Sequence, residues 1–88
     1  MGNLLLFPSG NKKEMAMNTK ELGQLVRKHR KELKMTQPEL AMVSGSGVRF
    51  ISDLENGKES CHLGKTLRVL ENLGLDIYAE KKRWGAES

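Results

Sequence analysis

Between Val48 and Asp53 the chain carries side chains whose types and spacing suit reading a hydrogen-bonding surface. In VRFISDLEN, a helix starting at Val48 turns Ile51 and Leu54 inward. Val48, Arg49 and Asp53 then face outward, with Phe50 and Ser52 beside them. The Arg49 guanidinium can donate two parallel bonds to one acceptor edge. On guanine O6 and N7 such a pair is worth about 1–3 kcal/mol of discrimination against a wrong base. A phosphate contact is the other reading of Arg49. Val48 and Phe50 can touch thymine methyl groups, although Phe50 can equally fold inward onto the preceding helix. Asp53 repels phosphate, which leaves it to accept from a cytosine amino group or to position Arg49.

Other chemistries lack their residues. His29 and His62 are far apart and have no carboxylate or cysteine at metal-ligand spacing, so no metal site is expected. No Ser/His/Asp set and no paired catalytic carboxylates occur. Gly45-Ser46-Gly47 lacks the preceding strand and the lysine of a phosphate-cradling loop. The expectation is a protein without catalytic residues or cofactor, and not an enzyme.

The elements around this stretch explain how it would be held. Thr36-Gln37-Pro38-Glu39 fits a capping box, with Pro38 in the first helical turn where a missing N–H breaks no bond. Leu40, Ala41 and Val43 offer an apolar side to that helix. Gly45-Ser46-Gly47 interrupts it, and Asn56-Gly57 stops the helix that follows. Two short helices on a tight glycine turn bury little by themselves. They read as a helix-turn-helix over residues 36–55, whose second helix enters a DNA major groove. Gln37, at a helix N-terminus, and Asn56 and Lys58, just past the second helix, are then placed to contact phosphate.

These residues carry a resemblance. TQPELA, the turn glycine, Ile51-Ser52 and Leu54-Glu55-Asn56-Gly57-Lys58 closely resemble DNA-binding domains of the phage-repressor/Cro (XRE) type, over about Leu22 to Leu75. More narrowly, GVRFISDLENGK followed by LGKTLRVLENLGLDI is similar to HipB-like antitoxins, which pair with HipA-type kinases. The resemblance implies a lambda-repressor-like, all-α bundle of four to five helices. It also implies a buried ion pair between Arg30 and Glu55, joining the first helix to the third, and a C-terminal tail that contacts the kinase. Trp84 is the candidate anchor in that tail; packing back onto its own dimer is the other reading. Some phage repressors place a base-reading Gln where this chain has Val48, so their base code does not transfer. Gly47 replaces the usual Ser cap, Ser46 replaces an apolar residue, and Lys34-Met35 stands where a glycine usually ends the first helix.

With 88 residues, 30% of them charged and a net charge of +4, there is room for one small domain that favours a polyanionic partner. The single Cys61 excludes an internal disulfide and fits a small apolar role in a reducing, cytoplasmic setting. No apolar run approaches the roughly 20 residues that span a bilayer, so no membrane association is expected. Residues 1–16 read as an extension without fixed order, with a strand added to a sheet edge or a short arm packing on a partner as the alternatives, and Lys12 and Lys13 able to touch phosphate; Met17 can begin the domain.

Residues 17–74 hold the DNA-binding domain. Its first helix is capped by Asn18 or Thr19 and has a buried stripe of Leu22, Leu25, Val26, His29 and Leu33. Arg27, Lys28, Arg30, Lys31 and Lys34 on its other faces form either a phosphate-facing surface or a solvated one. A fourth helix, with Ser60 as cap, is expected over about Leu63–Leu73, buried through Leu63, Thr66, Leu67, Leu70 and Leu73, and ended by Gly74. Residues 75–80 alternate as one strand, LDIYAE. A lone strand has two open edges, so pairing across a homodimer through Leu75, Ile77 and Tyr78 is the expected remedy. Residues 81–88 are a tail.

The expected function is a DNA-binding repressor on a palindromic operator of double-stranded DNA, with recognition helices about 34 Å apart. It would be the antitoxin of a type II toxin–antitoxin pair that represses its own operon and binds a HipA-like kinase. The alternatives are an autonomous phage-repressor-like regulator without a toxin, and a protein-interaction module that does not bind DNA.

Overall fold

The first helix, α1 (Thr19–Glu32), begins where the Asn18 side chain accepts from the Glu21 amide. A computed structural model describes residues 2–8, 14–16 and 18–81 of the chain, with side chains described over 18–77. Gly23, Val26, His29 and Arg30 form the buried side of α1, with Leu22 and Leu25 half-buried. Leu33 departs from the expected stripe: it is the C-cap residue, beyond the last full helical turn, and lies 52% exposed.

α2 (Gln37–Ser44) starts with both bonds of the Thr36–Glu39 capping box in place. It buries Leu40, Ala41 and Ser44; Val43, read as inward, is exposed because Ser44 takes the inner position. Gly45 closes it at φ 66°, a left-handed value that costs glycine nothing. α3 (Val48–Glu55) follows with Ile51 and Leu54 inward, and α4 (Leu63–Asn72) packs against α2.

The cap of α4 is His62, whose Nδ1 accepts from the Lys65 amide, and not Ser60. Its buried side is Thr66, Val69 and Leu70, continued by Leu73, whereas Leu63 and Leu67 lie exposed. The stripe is rotated so that Val69 fills the interior in their place. Nine residues drawn from the four helices and the segment after them form one core: Val26, Leu40, Ala41, Ile51, Leu54, Val69, Leu70, Leu73 and Leu75. None of the described helices is long and apolar enough to cross a membrane.

Beyond the helices the chain forms a three-stranded sheet. β1 (Gly2–Pro8) lies between β2 (Glu14–Ala16) and β3 (Leu75–Lys81), antiparallel to both. Leu6 stands opposite Ile77 on one side and Glu14 on the other. Within residues 1–16, the Leu4–Phe7 run is a strand, as one reading had it, paired along β3 in the middle of the sheet. This also corrects the expectation of a lone β3 with two open edges. β1 pairs with it from Pro8–Leu75 to Gly2–Lys81, because an apolar strand in the same chain satisfies backbone groups that an open edge leaves unpaired. The far edge of β3 carries no strand among the described residues.

Candidate nucleic-acid interface

Two close contacts fix α3 relative to the rest of the bundle. The first is at Gly23, where α1 crosses the end of α3. A Cβ there would collide with the Leu54 carbonyl oxygen and stand 2.6 Å from that of Glu55. No expectation singled out Gly23, although a glycine inside a helical pattern signals close packing.

The second contact is the ion pair implied by resemblance. Arg30 Nε donates to Glu55 Oε2 at 2.6 Å and Nη2 to Oε1 at 3.0 Å, while Nη1 donates to the Met35 carbonyl at 2.8 Å. The two side chains are 9% and 4% exposed. Bonding to Glu55 raises the Arg30 pKa above its ordinary value, against a smaller lowering by burial. The guanidinium thus ties α1, the α1–α2 turn and α3 together.

Gln37 joins this network. Its Nε2 donates to Glu55 Oε1 at 3.1 Å, so one amide hydrogen faces the protein and not open solvent. Pro38 has no amide hydrogen and that of Glu39 donates to Thr36 Oγ1, so the Gln37 amide is the one left at this helix start, where an anion is favoured.

With α3 fixed, its outer face follows from its inner one. Arg49, Ser52, Asp53 and Asn56 are spaced three and four apart, opposite Ile51 and Leu54. Arg49 is exposed and has no partner among the described residues. Val48 is 44% exposed on one flank. Phe50, on the other flank, packs partly against the core, with Lys65 Nζ 5.9 Å from its ring centroid. Phe50 is thus half-buried against the core.

Asp53 pairs with Lys58 at 3.5 Å, and not with Arg49 as one reading had it. The pair is half exposed on the lysine side, so it contributes little stability. Asn56 caps α3 and is exposed; Gly47 starts α3 in an extended conformation and provides no side-chain cap. No cap obstructs the first turn of α3, so Val48 and Arg49 lead the face.

Of the residues expected at a dimer contact, Leu75 is instead spent on the chain's own core at 4% exposure, because β3 leaves the bundle there. Ile77 is 37% exposed. The side chain of Tyr78, and Trp84 altogether, lie outside the described residues.

Known proteins are similar to this chain in sequence. Residues 26–77 match the family described as helix-turn-helix, which spans every element from the middle of α1 into β3. The chain is 51% identical over 65 residues to a protein of Sinorhizobium fredii (strain NBRC 101917 / NGR234) described as the uncharacterized HTH-type transcriptional regulator y4mF. That match covers 72% of this chain and 86% of the relative.

Proposed function

Since the chain belongs to the helix-turn-helix family of DNA-binding transcriptional regulators, we propose that it is a homodimeric repressor and a HipB-like antitoxin. It reads a palindromic operator in its own promoter through α3 and holds a HipA-like kinase. The observation that carries the DNA reading is the outer face of α3, where an exposed, unpartnered Arg49 stands among Ser52, Asp53 and Asn56. Arg49 bonds a guanine edge, and Val48 contacts a neighbouring thymine methyl. Gln37, Asn56 and Lys58 hold phosphate on either side and set the register of the domain on the duplex. Lys58 also screens Asp53 from that phosphate.

The dimer reading is supported by the open edge of β3 and the exposed Ile77 on it. The antitoxin reading is supported by the sequence resemblance of GVRFISDLENGK and LGKTLRVLENLGLDI to HipB-like proteins, with Trp84 as the anchor for the kinase.

The test joins two measurements. Titration of the promoter of its own gene should show specific binding, and Arg49→Ala should relax preference at one base position by about 1–3 kcal/mol. Unchanged base preference would remove Arg49 from the reading role. Purification of the protein from its native cells should bring down a kinase-sized partner that is lost when the residues from Trp84 onward are deleted. Promoter binding with no such partner identifies an autonomous repressor instead. A partner with no promoter binding at low salt identifies an interaction module.

A further inference from the structure

We propose that Lys20, Arg27 and Lys34 form a sequence-independent phosphate-binding ridge along α1, extending the DNA contact beyond the helix-turn-helix. The proposal rests on the DNA-binding reading and adds to it a surface on a different helix.

The argument starts from spacing. Lys20, Gly23, Arg27 and Arg30 recur at intervals of three, four and three, which lines them up on one side of α1, and Lys34 stands in the turn that follows the helix. Two members of this row touch α3: Gly23 lies against the carbonyls of Leu54 and Glu55, and Arg30 is bonded to Glu55. The other three are exposed cations interleaved with them, so they run along the border that α1 shares with α3. Lys20 and Arg27 stand about 10 Å apart at the helical rise, and Lys34 follows in the turn after α1. None has an ion-pair partner among the described residues, and Arg30 already neutralises the Glu55 carboxylate at their centre.

Both ends of the row meet the expected phosphate contacts. A Cβ at Gly57 would stand 2.8 Å from Lys20 Cα, and Thr19 Oγ1 donates to the Gly57 carbonyl at 2.9 Å. That places Lys20 beside Asn56 and Lys58. At the other end, Lys34 occupies the turn just before Thr36 and Gln37 at the start of α2. The ridge is thus continuous with the phosphate contacts at each end, which favours a DNA backbone over an acidic protein as its occupant.

Lys34 supplies an independent observation. It has φ 59°, the left-handed value, and is the one non-glycine residue with positive φ among the described residues. Its amide donates to Lys31 O, and that of Met35 to Arg30 O, the bonds of a helix end that glycine closes without strain. A lysine held in that conformation points to a use for its side chain.

The experiment measures binding of the full-length protein to operator and to non-operator duplexes across a series of salt concentrations. Each of Lys20→Gln, Arg27→Gln and Lys34→Gly should lower the slope of log affinity against log salt by about 0.9. The triple variant should lose about 2 to 3 in slope, equally on both duplexes, while Arg68→Gln on α4 leaves the slope unchanged. Lys34→Gly should at the same time raise Tm, which separates a lost contact from a damaged fold. A triple variant with unchanged slope overturns the ridge, as does a loss confined to the operator. Loss of an acidic protein partner with DNA binding intact overturns it in favour of protein docking. If the unaltered protein binds neither duplex, the DNA-binding reading itself falls.

Discussion

Arg30 and Glu55 show how much a single pair of side chains carries in a chain of this size. Glu55 is 4% exposed and accepts from both Arg30 and Gln37, so removing the guanidinium leaves a buried carboxylate with only an amide donor. Arg30→Met should cost about 3–5 kcal/mol in urea denaturation, whereas Arg30→Met with Glu55→Leu should recover most of it. A single substitution that costs less than about 1 kcal/mol would show the pair to be solvated. Cys61 gives a prediction on pH. Burial, and then the negative field of Asp53, raise its pKa from 9.0 against an opposing effect of Lys58. The folded protein therefore keeps a proton that the unfolded chain releases, and stability should fall as pH rises past 9.0. Cys61→Ser should abolish that fall. Iodoacetamide labelling should reach half its maximal rate above pH 9.0, and labelling that saturates below it would contradict a raised pKa in the half-buried thiol. At this scale the sequence is a partial guide. That Arg49 faces outward follows from the inward spacing of Ile51 and Leu54, but the partner of Asp53 is not legible, because Lys58 reaches it only after the α3 helix has turned back at Gly57.

At the scale of elements, the helix starts and stops are the most legible feature. Asn18, Thr36 and Gly45 act as their types dictate, since capping depends on atoms within a few residues. The fourth helix shows the limit. Ser60 and His62 both precede α4, and which one caps depends on where the loop from α3 delivers the chain. Buried stripes are harder still: Leu63, Leu67 and Leu33 fit a helical period yet lie exposed, because the neighbours of a helix select which part of a wide apolar arc is covered. Gly23 is the counterpart, a residue with no side chain whose role exists only in the crossing of α1 and α3. Gly23→Ala should push the two helices apart, since its Cβ meets backbone and not a movable side chain. The expected loss is about 1–3 kcal/mol, with operator affinity reduced because α3 shifts with the crossing. Circular dichroism melting and promoter titration of the same variant check both effects. An alanine variant as stable as the parent would mean that the crossing relaxes freely.

The sheet belongs to the scale of the whole molecule. Leu4-Leu5-Leu6-Phe7 is recognisable as an apolar run, but its place against β3 is a contact between the two ends of the chain, which no local pattern encodes. With β1 in the middle, β3 has one edge filled and one that carries no strand among the described residues. An open edge with an exposed Ile77 is a template for another strand, and the symmetric choice is β3 of a second copy, giving one sheet continuous across two subunits. Such a dimer joins two recognition helices, so binding of the second half-site becomes intramolecular and affinity rises far beyond that of one domain. Ile77→Lys places a charge on that edge without touching the core, because Ile77 lies outside the buried cluster. The variant should keep its helical melting transition, sediment as a monomer, and bind a full palindrome at least tenfold more weakly than the parent, while affinity for an isolated half-site stays the same. A variant that remains dimeric and binds the palindrome as before would place the dimer contact elsewhere, with the exposed Leu63 and Leu67 of α4 as the next surface to alter.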